Sequence, residues 1–498
     1  MNAFMAETET PPSPNVLMIC CDHLRADNLG CNGHPVIMSP QIDKLAAQGV
    51  NFQRAHSECP VCVPARRILM TGLNPYHIHM DRNRDTQPFP EGPKLAELFT
   101  RNGYQTFASG KLHTCPQRNR IGFEDVQLNE EGRKQGGLIR DDYETFLMEN
   151  NLQHLAYSHG LGNNQYGLRF SPLPEPFTTT HWTADQAMRF VERRDPTRPF
   201  FLYVSFDKPH PPVTPPRDFY DLYTGMEFPD PVMGDWVDSK LTNRIRSLRN
   251  ANQYERYKDN REWIQQNLRG FAAMTTHIDT MIGTLLGTLK EHGVLGNTWI
   301  VFTSDHGDQL FDHGNFAKGD FLQGSTRVPM IIVPPSRWRK EQGLTTGRID
   351  SSTPAGLADI LPTLLEGCGI DLPESIDGES LLPRIADPEA EFRPMTFGNC
   401  NESFAVSNGR FRYQWSGEHG YEYLFDQDSD PRDEHDLSDL PEFREVRDEL
   451  RQALIDWMGA HGDPHIEGGN LKVIPVDRGL ERGEAANIWN NRGRHGVG

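Results

Sequence analysis

Cysteine, basic charge and long apolar runs are all scarce in this chain of 498 residues. Eight cysteines at irregular spacing are too few for a disulfide framework, so free thiols are expected. Lys and Arg number 50 against 69 Asp and Glu, a formal net charge of −19. Such a balance argues against nucleic acid or an anionic membrane as a partner. It leaves an anionic small substrate open, because a few local cations and a metal can dominate one pocket. No apolar stretch approaches the roughly 20 residues needed to span a bilayer. Residues 1–15 are acidic and Pro-rich, with no basic start and no apolar run behind it, so no secretory signal is read there and a cytoplasmic location is expected. What is present is a globular composition, 36% hydrophobic and 24% charged, without internal repeats. The length predicts one large domain plus a smaller one.

The first strong element is Val16-Leu-Met-Ile-Cys20, a continuous apolar run that reads as a buried strand of a parallel sheet. Residues 39–49 carry an N-cap Ser, a Pro at the first helical position and a closing Gly, the pattern of a short helix. Helix and strand signals then alternate: helix 94–101 and strand 105–108, helix 184–192 and strand 199–205, helix 271–291 and strand 299–303, strand 328–333 and helix 355–366. Alternation of this kind predicts an α/β fold, a large mostly parallel sheet sandwiched between helices, over residues 1–392. Residues 393–461 read differently. Short strands near 395–398, 410–414 and 422–425, then a helix at 442–458, predict a small antiparallel sheet with a packed helix. Residues 462–498 are rich in Gly, Asn and Arg without periodicity and are expected to form an extended tail, a candidate contact for a homo-oligomer.

Asp22 and Asp305 each stand just beyond the end of a predicted strand, and His306 follows directly. The carboxyl edge of an open α/β sheet is where ligands collect. Either Asp alone reads as a turn residue closing a strand; together with one imidazole they suit a hard or borderline divalent ion. Cys62 opens a helical segment, where the dipole and free N–H groups favour a thiolate or a bound oxyanion. The Cys59–Cys62 spacing also admits a redox or zinc site, but no second pair stands at zinc spacing and the flanks are not thioredoxin-like.

Cys62-Val-Pro-Ala-Arg66-Arg-Ile-Leu-Met-Thr71-Gly72 resembles the signature of the type I, formylglycine-dependent sulfatases of the alkaline phosphatase-like superfamily, Cys-x-Pro-Ser/Ala-Arg with Thr-Gly following. Other segments match the same family in the same order. They are 15–22, 39–52, Gly110-Lys111-Leu-His113, the run 201–211 that carries His210, Thr303–Gly307, and Gly314-Asn-Phe-Ala-Lys318. The resemblance spans nearly the whole chain. It implies that a separate formylglycine-generating enzyme oxidises Cys62, and that a hydroxyl of the hydrated aldehyde attacks the sulfur of a sulfate ester. It further implies one divalent metal, Ca²⁺ first with Mn²⁺ or Mg²⁺ as alternatives, held by Asp22, Cys62, Asp305 and His306. By the same resemblance Arg66 would pair with the diol or the metal carboxylates, and Lys111 and Lys318 would bind sulfate oxygens. His113 would take a proton from the remaining hydroxyl, and His210 would protonate the leaving alcohol.

The chain departs from the commonest family pattern in two places. Asp22-His23 stands where Asp-Asp is common, and Asp305-His306 where Asp-Asn is common. His23 can therefore be a ligand, a neighbour of the ligands or a packed histidine. His77, His79 and His313 can line the pocket or serve structure, whereas His277 reads as a packing residue, and Cys20, Cys21, Cys31, Cys115, Cys368 and Cys400 as ordinary thiols. The nearest rival activity is a phosphonate monoester or phosphodiester hydrolase of the same superfamily. A rival from another class is a non-catalytic, metal-stabilised binding protein with unmodified Cys62. Specificity is expected in the loops 117–180 and 218–269, whose Asn, Asp, Arg and Trp favour a sulfated carbohydrate over an aryl or choline sulfate.

Overall fold

The computed structural model describes residues 13–133 and 140–475. Its main sheet has eight strands. In chain order they are β1 (Asn15–Asp22), β2 (Val50–Phe52), β3 (Gln105–Gly110), β4 (Asp125–Leu128), β5 (Phe200–Pro209), β6 (Thr298–Ser304), β7 (Met330–Val333) and β8 (Arg348–Asp350). Across the sheet they run β4-β3-β5-β1-β6-β7-β2-β8. All neighbouring pairs are parallel except the two made by β7, which is antiparallel to β6 and to β2.

Burial on both faces explains why β1 reads as an unbroken apolar run. Val16, Met18 and Cys20 face one core with Ile68, Leu69, Phe99 and Leu361. Leu17, Ile19 and Cys21 face the other with Ala187, Val191, Ile278 and Leu285. Helices supply the cover: α1 (Pro40–Ala46), α2 (Cys62–Thr71), α3 (Leu95–Arg101), α4 (Thr179–Arg193), α5 (Arg261–Glu291) and α6 (Ile360–Gly367). The sheet is thus covered on both sides, as the alternation predicts.

A second sheet of four antiparallel strands follows: β9 (Thr396–Cys400), β10 (Ser403–Ser407), β11 (Phe411–Ser416) and β12 (Glu422–Asp426). Phe404, Val406, Tyr413, Trp415 and Leu424 pack there against Leu450, Leu454 and Met458 of α7 (Arg444–Ala460).

Several boundaries differ from expectation. The segment 218–269 is not loop throughout, since Asn243–Ala251 is helical and α5 begins at Arg261, ten residues before the predicted start. The polar run 261–270 hides that start, and Gly270 lets the helix approach Val213, whose side chain an added Cβ would strike. β4 and β10 are too short and polar-flanked for the alternation to reveal. From 462 onward the expected extended arm is interrupted by a hairpin, β13 (Ile466–Glu467) with β14 (Asn470–Leu471), packed against the second core. The rest of the expected tail, 476–498, lies outside the described residues. All eight cysteines are free thiols. Among the described residues no helix is long and apolar enough to cross a membrane.

Candidate active site

Four adjacent parallel strands, β3, β5, β1 and β6, deliver side chains to one edge of the sheet. Asp22 ends β1, Lys111 follows β3, His210 follows β5, and Asp305 and His306 follow β6. Gly110 makes the turn into Lys111: its φ is +97°, and a Cβ there would run into the Ser205 carbonyl oxygen. Cys62 is the first residue of α2, after an extended Val61 that makes no side-chain cap, and the N–H of the next residue, Val63, donates to Asn83 Oδ1 at 3.0 Å. Asp22, Cys62, Lys111, His210, Asp305 and His306 all have 0% of their surface exposed.

The oxygen, nitrogen and sulfur atoms of Asp22, Cys62, Asp305 and His306 lie within 4.8 Å of one another. Cys62 Sγ is 3.2 Å from His306 Nε2 and 3.7 Å from Asp22 Oδ1. His306 Nε2 stands 3.5 Å from Asp22 and 3.6 Å from Asp305. The other ring nitrogen, Nδ1, donates to the Gly307 carbonyl at 2.8 Å. That bond fixes the tautomer and leaves the Nε2 lone pair facing the cluster, as a metal ligand requires. Two buried carboxylates, this lone pair and a sulfur fit a divalent cation, and the sequence-predicted ligand set is brought together whole. A second cluster on the same scale, Asp22, His23, Cys62 and His210, shares two of those residues.

Cationic groups surround the cluster. Arg66 donates from Nε to Asp305 at 2.9 Å and from one terminal nitrogen to Ser205 Oγ at 2.7 Å and the Lys111 carbonyl at 2.8 Å. Lys111 is ion-paired with Asp22 and, at 3.0 Å, with Glu131. Lys318 donates to His23 Nε2. His23 in turn donates from Nδ1 to Asp308 at 2.7 Å, and Asp308 also accepts from the Tyr166 hydroxyl. The His23 ring lies edge-on to His210 at 4.2 Å and to His306 at 4.5 Å between centroids. His23 is therefore a buried neighbour of the ligand set, tied to Lys318.

Charge sets the protonation states. Burial and Asp22 push the Cys62 thiol up, but Lys318 and Lys111 pull it down, and its pKa is lowered. Burial alone would raise Asp22, yet Lys111 and Arg66 hold it well below the usual carboxylate range. Burial and the Asp22 charge push Asp305 up. Burial pushes His210 well below its ordinary value, although Glu131 opposes it. His113 falls to about 3 through burial and Arg133.

His113 stands beside this group. Its ring touches Arg133 and lies 3.4 Å from Asp85, while its backbone N–H donates to Glu130 at 2.9 Å. His210 Nε2 is buried with no hydrogen-bond partner among the described residues. His77 is exposed and paired with Asp377 at 2.8 Å, and His79 is exposed as well. His313 is structural, accepting from Gly234 N–H at 3.0 Å and donating to the Arg432 carbonyl at 2.9 Å. His277 packs on Phe219 and bonds Glu175, as its helical position predicts. Glu130, Glu131, Arg133, Asp308 and Tyr166 escape the sequence reading. The readable signal for the first two is an acidic pair close behind a strand next to β3, but that strand, β4, is itself hard to see.

A family model described as Sulfatase matches residues 14–370. A second, described as N-sulphoglucosamine sulphohydrolase, C-terminal, matches residues 311–459. An arylsulfatase of Clostridium perfringens (strain 13 / Type A) is 31% identical over 487 residues, covering 93% of this chain and 98% of that protein. The phosphonate monoester hydrolase of Agrobacterium radiobacter superposes with a TM-score of 0.73 at 23% identity, over 90% of this chain and 96% of that one. BT4656, solved in complex with its substrate D-glucosamine-2-N,6-O-disulfate, gives a TM-score of 0.70 at 20% identity, over 91% of this chain and 99% of that one. At these identities the two structures share the fold with this chain.

Proposed function

The chain belongs to the sulfatase family and is a sulfuric ester hydrolase, and from that premise we propose that it cleaves the sulfate ester of a carbohydrate with a nucleophile made from Cys62. The observation that carries the reading is the position of Cys62, at a helix start and within 4.8 Å of the three other donor groups. Oxidation of its side chain to formylglycine by a separate maturing enzyme would supply, as the aldehyde hydrate, a hydroxyl nucleophile. Asp22, Asp305, His306 and the matured side chain would hold a divalent cation, Ca²⁺ first. When bound, that cation would draw charge from a sulfate oxygen.

The chain's own groups divide the remaining work. Lys111 and Lys318, each a compact point charge, neutralise sulfate oxygens so that a nucleophile can approach the anion. Arg66 holds the Asp305 carboxylate in place through Nε. His210 directs Nε2 inward to hand a proton to the leaving alcohol oxygen, and His113 removes a proton from the nucleophile's second hydroxyl. A saccharide sulfate is favoured because the fold neighbour BT4656 was solved with a sulfated glucosamine and because the outer segments are rich in polar and aromatic groups. An aryl or choline sulfate is the alternative.

Maturation should make the Cys62 peptide lighter by about 18 Da, the exchange of SH₂ for O. Cys62→Ala should lower turnover by about three orders of magnitude or more. Only unmodified Cys62 in protein from a host with the maturing enzyme, or full activity of Cys62→Ala, would sink the proposal. The second reading is a phosphonate monoester hydrolase: Asp305-His306 departs from the Asp-Asn common in the sulfatase pattern, and a phosphonate monoester hydrolase is among the fold neighbours. A larger kcat/KM for a phosphonate monoester than for a sulfate ester, on one metal-loaded preparation, would put that reading first. Membership of the family leaves the non-catalytic alternative without support.

A further inference from the structure

Lys318 reaches the site from a loop whose backbone is held in an unfavourable shape. Between Asp308 and Gly319 four residues other than glycine are left-handed: Leu310, Phe311, His313 and Ala317, with φ from +43° at Leu310 to +76° at Phe311. In that region a Cβ crowds the following carbonyl, so such residues stay there only where their surroundings hold them. Ala317, next to Lys318, is held on both sides. Its carbonyl accepts from the Gln309 N–H at 2.8 Å, and its own N–H donates to the Tyr166 hydroxyl at 2.9 Å.

Tyr166 comes from a segment 151 positions earlier and is fixed independently of that loop. It is 5% exposed, and its ring packs among Phe271, Phe311 and Phe316, with centroids from 5.2 Å for Phe316 to 6.0 Å for Phe271. The N–H of the following residue, Gly167, donates to Asn267 Oδ1 at 2.8 Å, so both Asn267 and Phe271 of α5 anchor it. A phenolic hydroxyl has one proton to give and lone pairs to receive, and both are used here. The proton goes to Asp308, which also accepts from His23 Nδ1 at 2.7 Å, and His23 Nε2 accepts from Lys318 Nζ. Burial and the Asp308 carboxylate push the Tyr166 pKa up, so the hydroxyl keeps the proton it donates. An ammonium group has three N–H bonds; His23 takes one and the others are left for sulfate oxygens.

We propose that Tyr166 is a positioning residue for sulfate binding: its one hydroxyl fixes Lys318 at the main chain, through Ala317, and at the ammonium head, through Asp308 and His23. The inference rests on the sulfate-binding role proposed for Lys318. A lysine loses much rotamer freedom when an anion pins it, and a side chain held in advance has less to lose. Loss of the hydroxyl must therefore appear in the affinity for sulfate.

The test is the affinity of matured, metal-loaded enzyme for inorganic sulfate, measured by calorimetry and as the sulfate-dependent rise in Tm. Tyr166→Phe, which removes only the hydroxyl, should weaken sulfate by about 10-fold, the size of one hydrogen bond to a charged group. Lys318→Met should weaken it further. Adding Tyr166→Phe to Lys318→Met should then cost less than about 2-fold more, because residues acting as a unit are not additive. Unchanged sulfate affinity in Tyr166→Phe, whatever its Tm, marks a merely structural tyrosine and overturns the inference, as does full additivity with Lys318→Met. If Tyr166→Phe fails to fold, Asp308→Asn tests the other arm. Removing a negative charge there would by Coulomb's law alone tighten sulfate, whereas the positioning role requires weaker binding, so tighter binding also overturns the inference. Unaltered sulfate affinity in Lys318→Met would instead remove the reading of Lys318 on which it stands.

Discussion

Arg66 is a buried cation with partners on three different segments. It is 2% exposed and bridges Asp305, Ser205 and the main chain of Lys111, so one guanidinium ties the ends of β3, β5 and β6 together. Removing one member of a buried ion pair leaves an uncompensated charge. Arg66→Ala should therefore lower stability by about 3–5 kcal/mol, read as a shift of the urea midpoint. Arg66→Lys should recover only part of this, because a point charge cannot reproduce the fork. An unchanged midpoint for Arg66→Ala would mean that Asp305 is satisfied by other groups. At this scale much was legible. The signature Cys62–Arg66, Asp22, Asp305 and His306 could be named from residue type and order, and they do converge. Glu131 could not, since a buried carboxylate in a polar segment looks like any solvated acid until its neighbours, Lys111 20 positions away and His210 just past β5, are brought alongside.

Among the elements, the hairpin β13–β14 is held to the small sheet by a histidine that no motif singles out. His465 lies 2.8 Å from Asp463 and 3.3 Å from Glu402, and its ring packs on Phe404 and Trp415. Glu402, between β9 and β10, is also paired with Arg82, which follows α2, so this small network links the second sheet to a segment of the main sheet's cover. Burial alone would lower the pKa of His465, but Asp463 and Glu402 raise it to about 9. A raised folded value means that the folded state holds the proton more tightly than the unfolded chain. The stabilisation is therefore complete below about pH 6.5 and is lost as pH rises through about 9. Screening leaves about 1–2 kcal/mol of it. Thermal unfolding should show the C-terminal sheet weakening over that window, and His465→Gln should be less stable at neutral pH and nearly flat across it. An equal slope in the variant would assign the loss to other groups. Periodicity located most elements well, because strands buried on both faces and amphipathic helices carry strong patterns. It failed at β4 and β10, which are short, and at the first ten residues of α5, where polar residues interrupt the apolar face.

For the molecule as a whole, the question is what the clustered acids cost. Asp22 and Asp305 are both fully buried at the same end of neighbouring strands, and burial together with Asp22 pushes the Asp305 pKa upward. A divalent cation held there would remove that repulsion and, bound to the folded chain, would stabilise it by mass action. Chelator-treated protein should gain about 2.7 kcal/mol when the free ion reaches about 100 times its dissociation constant, seen as a rise in Tm. Asp305→Asn should abolish the rise. No change in Tm for Ca²⁺, Mn²⁺ or Mg²⁺ would count against a metal at this cluster.

By itself the sequence determined the α/β class, the family and the identity of the groups around Cys62, because these reside in local patterns and in the order of short motifs. Only the tertiary structure decided which groups serve which. His23 meets Asp308 across 285 positions and Lys111 meets Asp22 across 89. Those meetings depend on the strand order β3-β5-β1-β6, which sets the ends of distant segments side by side. Burial there forces every charge to find a partner, and so assigns His23 to Lys318 and Glu131 to Lys111 and His210.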